Sequence, residues 1–479
     1  MSEPALGLWP APSKPATPIV SREWLSRLDV SGPRYTSYPT ADRFVEAFGS
    51  AQYQQALRQR RHGVGALTGS ASALSVYVHI PFCESVCYYC ACNKVITKHR
   101  ERAVSYLDAL RTEIDLVAAE LGKAQPVSQL HLGGGTPTFL DDDQLEALLG
   151  MLQSAFRFVE GGEYAIEIDP RTVSAERLNR IAAMGFNRLS LGVQDFDPLV
   201  QQAVHRVQPH AQVASLMASA RAEGFESLNM DLIYGLPRQT LVSFQTTLSQ
   251  VLALRPDRIA LYAYAHLPQR FKPQRRIDAS ALPVADDKVA MLAMAIEAFT
   301  AAGYDHIGMD HFALHHDSLA VAKRQGRLHR NFQGYSTHAD CDVIGLGVSA
   351  IGRIGAHYSQ NTKTVEDYTG ALRHRQLPVV RGLTLSRDDL VRRAVIMALM
   401  CQGRVDFESI ELAYLMDFRQ YFGSEMRLLE PLAESGLVQM ESDGIRVTSL
   451  GWFFVRAIAM VFDRHLQADR TVERFSRII

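Results

Sequence analysis

The chain has 479 residues with 50 basic and 51 acidic side chains, a formal charge of −1, so electrostatics recommends neither a nucleic acid nor an anionic membrane surface as partner. Its 47% hydrophobic and 21% charged content is that of an ordinary globular protein with a sizeable core. The longest apolar runs, near 289–300 and 451–462, are interrupted by Glu297 and Arg456 and too short to span a bilayer, and no basic stretch precedes an apolar core at the N-terminus. The expectation is a cytoplasmic, monomeric protein with reduced thiols.

In chain order, residues 1–19 are rich in Pro and Ala and read as a mobile arm. Ser31-Gly32-Pro33-Arg34-Tyr35-Thr36-Ser37-Tyr38-Pro39-Thr40 reads as an extended segment that lies over a surface or covers a cavity; an ordered loop between Trp24 and a helix near 51–61 fits it equally. From Leu74 the pattern turns to strands alternating with helices. Leu74, Val76, Val78 and Ile80 share one face of a strand and Ser75, Tyr77 and His79 the other. Further strands are predicted at 127–132, 164–168, 188–194, 227–233 and 258–264, with helices at 100–121, 143–155 and 174–184.

Such repetition demands parallel strands with crossover helices, in a doubly wound sheet or a barrel. At strand after strand the polar residue sits at the carboxyl end: His79, the Gly133-Gly134-Gly135 run, Glu167 with Asp169, Gln194, Asp231, and Tyr262 with Tyr264. In a barrel these ends converge on one mouth. The predicted fold is therefore α/β, a partial (β/α)6 TIM-like barrel over 71–275. It follows an N-terminal arm and lid segment over 1–70 and precedes a barrel extension with substrate-site residues over 276–375. A mainly helical domain over 376–479 completes the chain; its hairpin at 437–447 gives it a winged-helix look. Acidic Glu430, Glu434, Glu441 and Asp443 argue against DNA binding there.

Four of the six cysteines lie in His79-Ile80-Pro81-Phe82-Cys83-Glu84-Ser85-Val86-Cys87-Tyr88-Tyr89-Cys90-Ala91-Cys92. The others, Cys341 and Cys401, sit in apolar surroundings and read as core thiols. Clustered thiols in a reducing compartment point to metal ligation rather than disulfides. Cys83, Cys87 and Cys90 can hold three corners of an iron–sulfur cube and leave one iron open to a small chelator. A zinc site or a redox dithiol fits the spacing less well.

A CxxxCxxC loop after a first barrel strand resembles that of the radical S-adenosylmethionine (SAM) superfamily. Within it the chain is similar to the family of oxygen-independent coproporphyrinogen III oxidases. The residues that carry the similarity are His79–Cys83 with Cys92, Gly133–Thr138, Gly192–Phe196, Asp231–Pro237 and His329–Tyr335. The resemblance implies a 4Fe-4S cluster on Cys83, Cys87 and Cys90, with SAM on its open iron, cleaved to methionine and a 5'-deoxyadenosyl radical. It implies two SAM molecules touching Tyr77, Tyr89, Gly134, Gly135, Thr136, Glu167, Gln194, Arg206, Asp231, Ala265 and Ile351. The glycines suit close backbone approach to an amino or carboxylate group. Cys92, with Tyr77, takes a catalytic role; related haem-trafficking proteins carry an aromatic where Cys92 stands.

Coproporphyrinogen III, four propionates around an apolar macrocycle, calls for aromatic walls and arginines, a description that Arg34, Tyr35, Arg330, Phe332 and Tyr335 fit. The implied electron source is a low-potential donor such as flavodoxin or ferredoxin. A haem-binding relative without oxidase activity, or a radical SAM enzyme with another substrate, is the rival expectation.

Overall fold

Apolar runs of strand length, each followed by an amphipathic helix, build the central layer. In the computed structural model, which describes residues 32–63, 73–338 and 341–467, these runs form β1 (Leu74–Ile80), β2 (Gln125–Gly134), β3 (Phe156–Ile168), β4 (Arg188–Gln194), β5 (Ser227–Tyr234) and β6 (Arg258–Ala263). Trp24 and the predicted mobile arm lie outside the described residues. Each strand pairs in parallel with the next in chain order. That order excludes the doubly wound alternative, whose strand order reverses at a switch point, and leaves the barrel.

The barrel does not close on itself. Val343–Leu346 pairs in parallel with the outer edge of β1, followed by antiparallel Ile351–Ile354, His357–Asn361 and Val379–Thr384. His311–Leu314 runs antiparallel to β6, with Tyr304–Gly308 beyond it, so one sheet holds twelve strands. The chain after Pro268 thus occupies the open side.

Strand β1 is flanked by parallel neighbours and covered on both faces, which is why Ser75 and His79 are buried along with Leu74, Val76, Val78 and Ile80. Strand β3 begins eight residues before the predicted Tyr164. The glycine pair Gly161-Gly162 does not end it: the pairing with β2 carries on past it after a register shift between Val127 and Gln129.

The helix Glu101–Leu121 buries Ala103, Leu107, Leu110, Ile114 and Val117 as its periodicity requires, and also Glu113. That carboxylate accepts from the hydroxyl of Tyr368 (2.6 Å), Asn361 Nδ2 (2.6 Å) and the Gly347 amide (2.7 Å), and burial pushes its pKa up to about 7. It ties the helix to the strands beyond β1. Glu113→Ala is expected to lower stability by about 3 kcal/mol, because three buried donors lose their acceptor together; urea unfolding measures it, and a change below about 0.5 kcal/mol would show the network to be dispensable.

A second core forms around helix Arg387–Gln402 and the three-stranded sheet of Arg404–Asp406, Gly444–Val447 and Val438–Met440. Cys401 is buried in it, whereas Cys341 is only half-buried, 3.8 Å from Ser128 Oγ, and is not a core thiol. The segment expected to act as a lid is packed as a seam instead. Tyr35 and Tyr38 enter the second core, the Tyr35 hydroxyl donates to Asp463 (3.0 Å), and Arg456 holds the carbonyls of Gly32 and Pro33. Among the described residues no helix is long and apolar enough to cross a membrane.

Candidate active site

The carboxyl ends of β1 to β5 open on a cavity of about 180 Å3. The cysteine loop leaves β1 through Pro81 and supplies Cys83, Cys87, Tyr89, Cys90 and Cys92 to its wall; the loop after β2 supplies Gly134, Gly135 and Thr136; β3, β4 and β5 supply Glu167, Gln194 and Asp231; Arg206 comes from the turn beyond β4. Residues spread over more than a hundred positions of sequence thus share one space.

The glycines have a steric reason other than the one expected. A Cβ on Gly135 would lie 2.6 Å from the Phe82 carbonyl oxygen and 2.7 Å from that of Pro81, and one on Gly133 would lie 2.7 Å from Glu167 Oε1. Gly134 has φ +119°, a conformation that L side chains rarely adopt. The Gly135 and Thr136 amides donate to the Ile80 and Phe82 carbonyls (2.8 and 2.9 Å), so this run clamps the backbone from which the cysteine loop departs.

Cys87 is buried beneath two guanidinium groups: Arg171 Nη2 lies 3.5 Å and Arg206 Nη1 3.4 Å from its sulfur. Asp169 holds both arginines, accepting from Arg171 Nη2 (2.6 Å) and Arg206 Nη2 (3.3 Å). Burial alone would raise the Asp169 carboxyl; Arg206 and Arg171 outweigh it and keep the group below its ordinary value. Asp169 follows β3 with the same strand-end polarity as Glu167 and lines the mouth to which that polarity assigns it. Arg171, two residues on in a turn, carries no such signal.

A thiol hydrogen bond from Cys92, with Lys94 nearby, draws the Cys90 thiol down to about 6, while burial, with Cys90 and Cys87 adding to it, pushes Cys83 up to about 12. Cys92 itself is exposed to the cavity. Among the described residues no three His, Cys, Asp or Glu side chains stand close enough to share one metal ion. The three thiols are instead distributed around a cavity, beside two cations. Soft donors at separate points with positive charge behind them fit an anionic polynuclear iron–sulfur group.

Two more cavities meet this one at Glu167. The larger, about 360 Å3, is lined by Tyr77, His79, His131, Tyr262, Phe332, Gln333 and Ile351; the other, about 190 Å3, descends inside the barrel past His131, Asp231, Tyr262, His311 and Tyr335 to Arg188. His131 Nε2 is 2.9 Å from Glu167 Oε1 and its ring stacks on Tyr77, with centroids 5.9 Å apart. Tyr77 in turn bonds His79 Nδ1 (3.0 Å), and His79 Nε2 is 2.9 Å from the Asn93 carbonyl. Asp231 accepts from Asn229 Nδ2 (2.9 Å) and the Ser190 hydroxyl (3.3 Å); burial and then Glu167 push its pKa up to about 6.

Tyr77 and Ile351 therefore belong to the adjoining cavity rather than to the thiol-lined one. Ala265 follows β6 in neither wall; its carbonyl accepts from Gln274 Nε2 (3.2 Å). Arg34 stacks over Tyr262 at 5.1 Å and pairs with Asp310. Phe332 and Tyr335 face the larger and the inner cavity respectively, and Arg330 lies behind Tyr335. Tyr35 points into the second core. His131 and His311 carry no such signal in the sequence, because single polar side chains inside strands look like incidental ones until the mouth is assembled, whereas Tyr262 stands where strand-end polarity places it.

Residues 77–251 match the model of the radical SAM superfamily, and 385–454 that of the HemN C-terminal domain. Oxygen-independent coproporphyrinogen III oxidase of Pseudomonas aeruginosa is 49% identical over 457 residues, 95% of this chain and 98% of that one. Its namesake in Escherichia coli is 45% identical over 455 residues, covering 95% and 97%. The solved structure of coproporphyrinogen III oxidase (HemN) from Escherichia coli, described as a radical SAM enzyme, superposes with a TM-score of 0.86 at 46% identity and covers 90% of this chain and 98% of that chain.

Proposed function

The chain belongs to the family of oxygen-independent coproporphyrinogen III oxidases, radical SAM enzymes, and on that premise we propose that it oxidatively decarboxylates two propionates of coproporphyrinogen III to vinyl groups, giving protoporphyrinogen IX. It is an oxidoreductase of haem biosynthesis that uses a 4Fe-4S cluster and SAM. The observation that carries the reading is the convergence of Cys83, Cys87 and Cys90 with Gly134, Gly135, Thr136, Glu167, Gln194, Arg206 and Asp231 on one cavity.

When bound, the cluster and SAM supply the radical that takes a hydrogen atom from a propionate β-carbon. The chain's own residues hold and orient. Cys83, Cys87 and Cys90 would ligate the cluster, and Arg171 and Arg206 would offset its negative charge at Cys87. Tyr89 and the glycine run would border SAM, whose cationic sulfonium is matched by the carboxylates of Glu167 and Asp231. Tyr77 and Ile351, on the far side of Glu167, are consistent with a second SAM, and Ala265 would contribute through its backbone. Cys92, open to the cavity, and Tyr77 take catalytic roles beside the reacting centre. Arg34, Arg330, Phe332 and Tyr335 form the substrate's side of the site, with Tyr35 anchoring that side from behind. The seam meets these walls at Arg34, which lies over Tyr262 and whose carbonyl accepts from Arg330 Nε. The absence of a membrane-length helix among the described residues and the exposed Cys92 thiol fit the reducing cytoplasm, where a flavodoxin or ferredoxin would reduce a monomeric enzyme.

Anaerobic incubation of reconstituted protein with SAM, a low-potential reductant and coproporphyrinogen III tests this. Protoporphyrinogen IX with release of methionine is the expected result. Methionine release with this substrate untouched would move the enzyme to another substrate, and neither product would overturn the reading.

A further inference from the structure

Around the inner cavity, buried nitrogen atoms lack acceptors. His311 opens the strand His311–Leu314, opposite Ala260 of β6, and its ring stands edge-on to Tyr262 and Tyr335, with centroids 5.9 and 5.3 Å apart. Among the described residues His311 Nδ1, Gln333 Nε2 and Arg330 Nη1 have no hydrogen-bond partner. His311 and Gln333 line the inner cavity, and Gln333 also lines the larger cavity beside Phe332. Arg330 is 6% exposed, with its guanidinium 4.5 Å from the centre of the Tyr335 ring and its Nε on the Arg34 carbonyl (3.2 Å).

The charges do not balance locally. Arg34 has Asp310, but no carboxylate of the described residues pairs with Arg330. Ordered water could satisfy an imidazole or an amide in a polar cavity; it does not neutralise a buried guanidinium, which calls for a counter-ion. Burial, and then Arg330 and Arg34, hold the protonation of His311 well below its ordinary range, so the ring is neutral and can donate through one nitrogen. Two aromatic walls, one uncompensated cation behind them and two unused donors complement a single carboxylate on an apolar arm.

We propose that His311, Gln333 and Arg330 form a carboxylate subsite that grips one propionate of the tetrapyrrole while a different propionate faces the SAM cavity at Glu167. The proposal rests on the substrate reading given above. The inner cavity and the thiol-lined one share Glu167, Ser190 and Asp231, so one arm of a macrocycle can enter the first while another faces the second. The subsite holds an arm that is still a carboxylic acid and has no grip on a vinyl group, which favours release once propionates have been lost.

The test is equilibrium binding of coproporphyrin III, the oxidised and unreactive tetracarboxylate, and of its tetramethyl ester, followed by fluorescence quenching on the reconstituted holoenzyme. Wild type is expected to prefer the acid. His311→Ala and Arg330→Gln should each weaken acid binding at least about tenfold, leave ester binding and SAM affinity within about twofold, and raise KM more than they lower kcat. His311→Gln, which keeps a donor, should recover most of the loss. Acid binding unchanged in both variants would overturn the subsite, as would parallel loss of acid, ester and SAM binding in the soluble His311→Gln protein. In either case, turnover of coproporphyrinogen III by wild type would leave the substrate reading standing, whereas wild type that neither binds nor converts it would bring down the reading itself.

Discussion

Cys87→Ser is expected to yield a folded protein that cannot be reconstituted with a 4Fe-4S cluster and produces no protoporphyrinogen IX. Of the three clustered thiols with ligand spacing, Cys87 is the buried one, and it is the one against which Arg171 and Arg206 direct guanidinium nitrogens at 3.5 and 3.4 Å. A hydroxyl there is a harder and poorer ligand for iron, and it leaves the positive charge of both arginines answered only by Asp169. Apo stability should change little, because the Asp169 bonds to Arg171 and Arg206 survive the substitution. Arg171→Ala provides the graded comparison: it keeps the ligand and removes a hydrogen bond to its sulfur, so cluster retention or activity should fall by about 10–100-fold rather than vanish. Iron and sulfide per chain, the visible absorption of the reconstituted protein and the electron paramagnetic resonance of its reduced form read both variants. A Cys87→Ser protein that retains a full, redox-active cluster would remove Cys87 from the ligand set.

Those two arginines mark the bound of what a sequence can reveal. Strand-end polarity located Glu167, Gln194 and Asp231 because a parallel barrel turns every carboxyl end toward one mouth, and period two makes the last inward residue identifiable. It could not locate Arg171 or Arg206 unaided, since a turn has no period and most arginines are solvated. The six strands were legible for the same reason, with one lapse: Gly161-Gly162 in β3 looks like a terminator, and only the neighbouring β2 shows that pairing resumes beyond it. What lay beyond β6 was not legible. His311–Leu314 and Val343–Leu346 are four residues each, too short for periodicity, and they are strands because the open edges of β6 and β1 offer unpaired backbone groups. The seam at 33–40 carried the right residue types for either a lid or a wall; Asp463 and Arg456, more than four hundred positions away, decide between them.

Asp231→Asn is expected to make the protein more stable at pH 8 and a poorer SAM binder at the same time. The Asp231 carboxyl is half-buried beside Glu167, with His131 and Tyr262 nearby and Asn229 and Ser190 donating to it, and its pKa rises from 3.8 to about 6. A folded-state value above the unfolded one means that the native protein holds a proton the unfolded chain releases. The stabilisation is therefore complete below about pH 4 and is lost as the pH rises through about 6. Two units correspond to about 2–3 kcal/mol, which is the upper bound on the difference between wild type and Asp231→Asn at pH 8, whereas the two should agree near pH 4. Asparagine keeps the shape and never ionises. In function the sign reverses: a cationic ligand binds the ionised carboxylate, so wild-type SAM affinity should fall as the pH drops below about 6, and Asp231→Asn should show weak binding, by roughly tenfold or more, with little dependence on pH across that range. Urea unfolding at pH 4 and pH 8 with calorimetric titration of SAM separates the two effects. A variant less stable than wild type at pH 8 would mean that the ionised form of Asp231 is the one the fold supports, and the retained instability would then have no link to SAM.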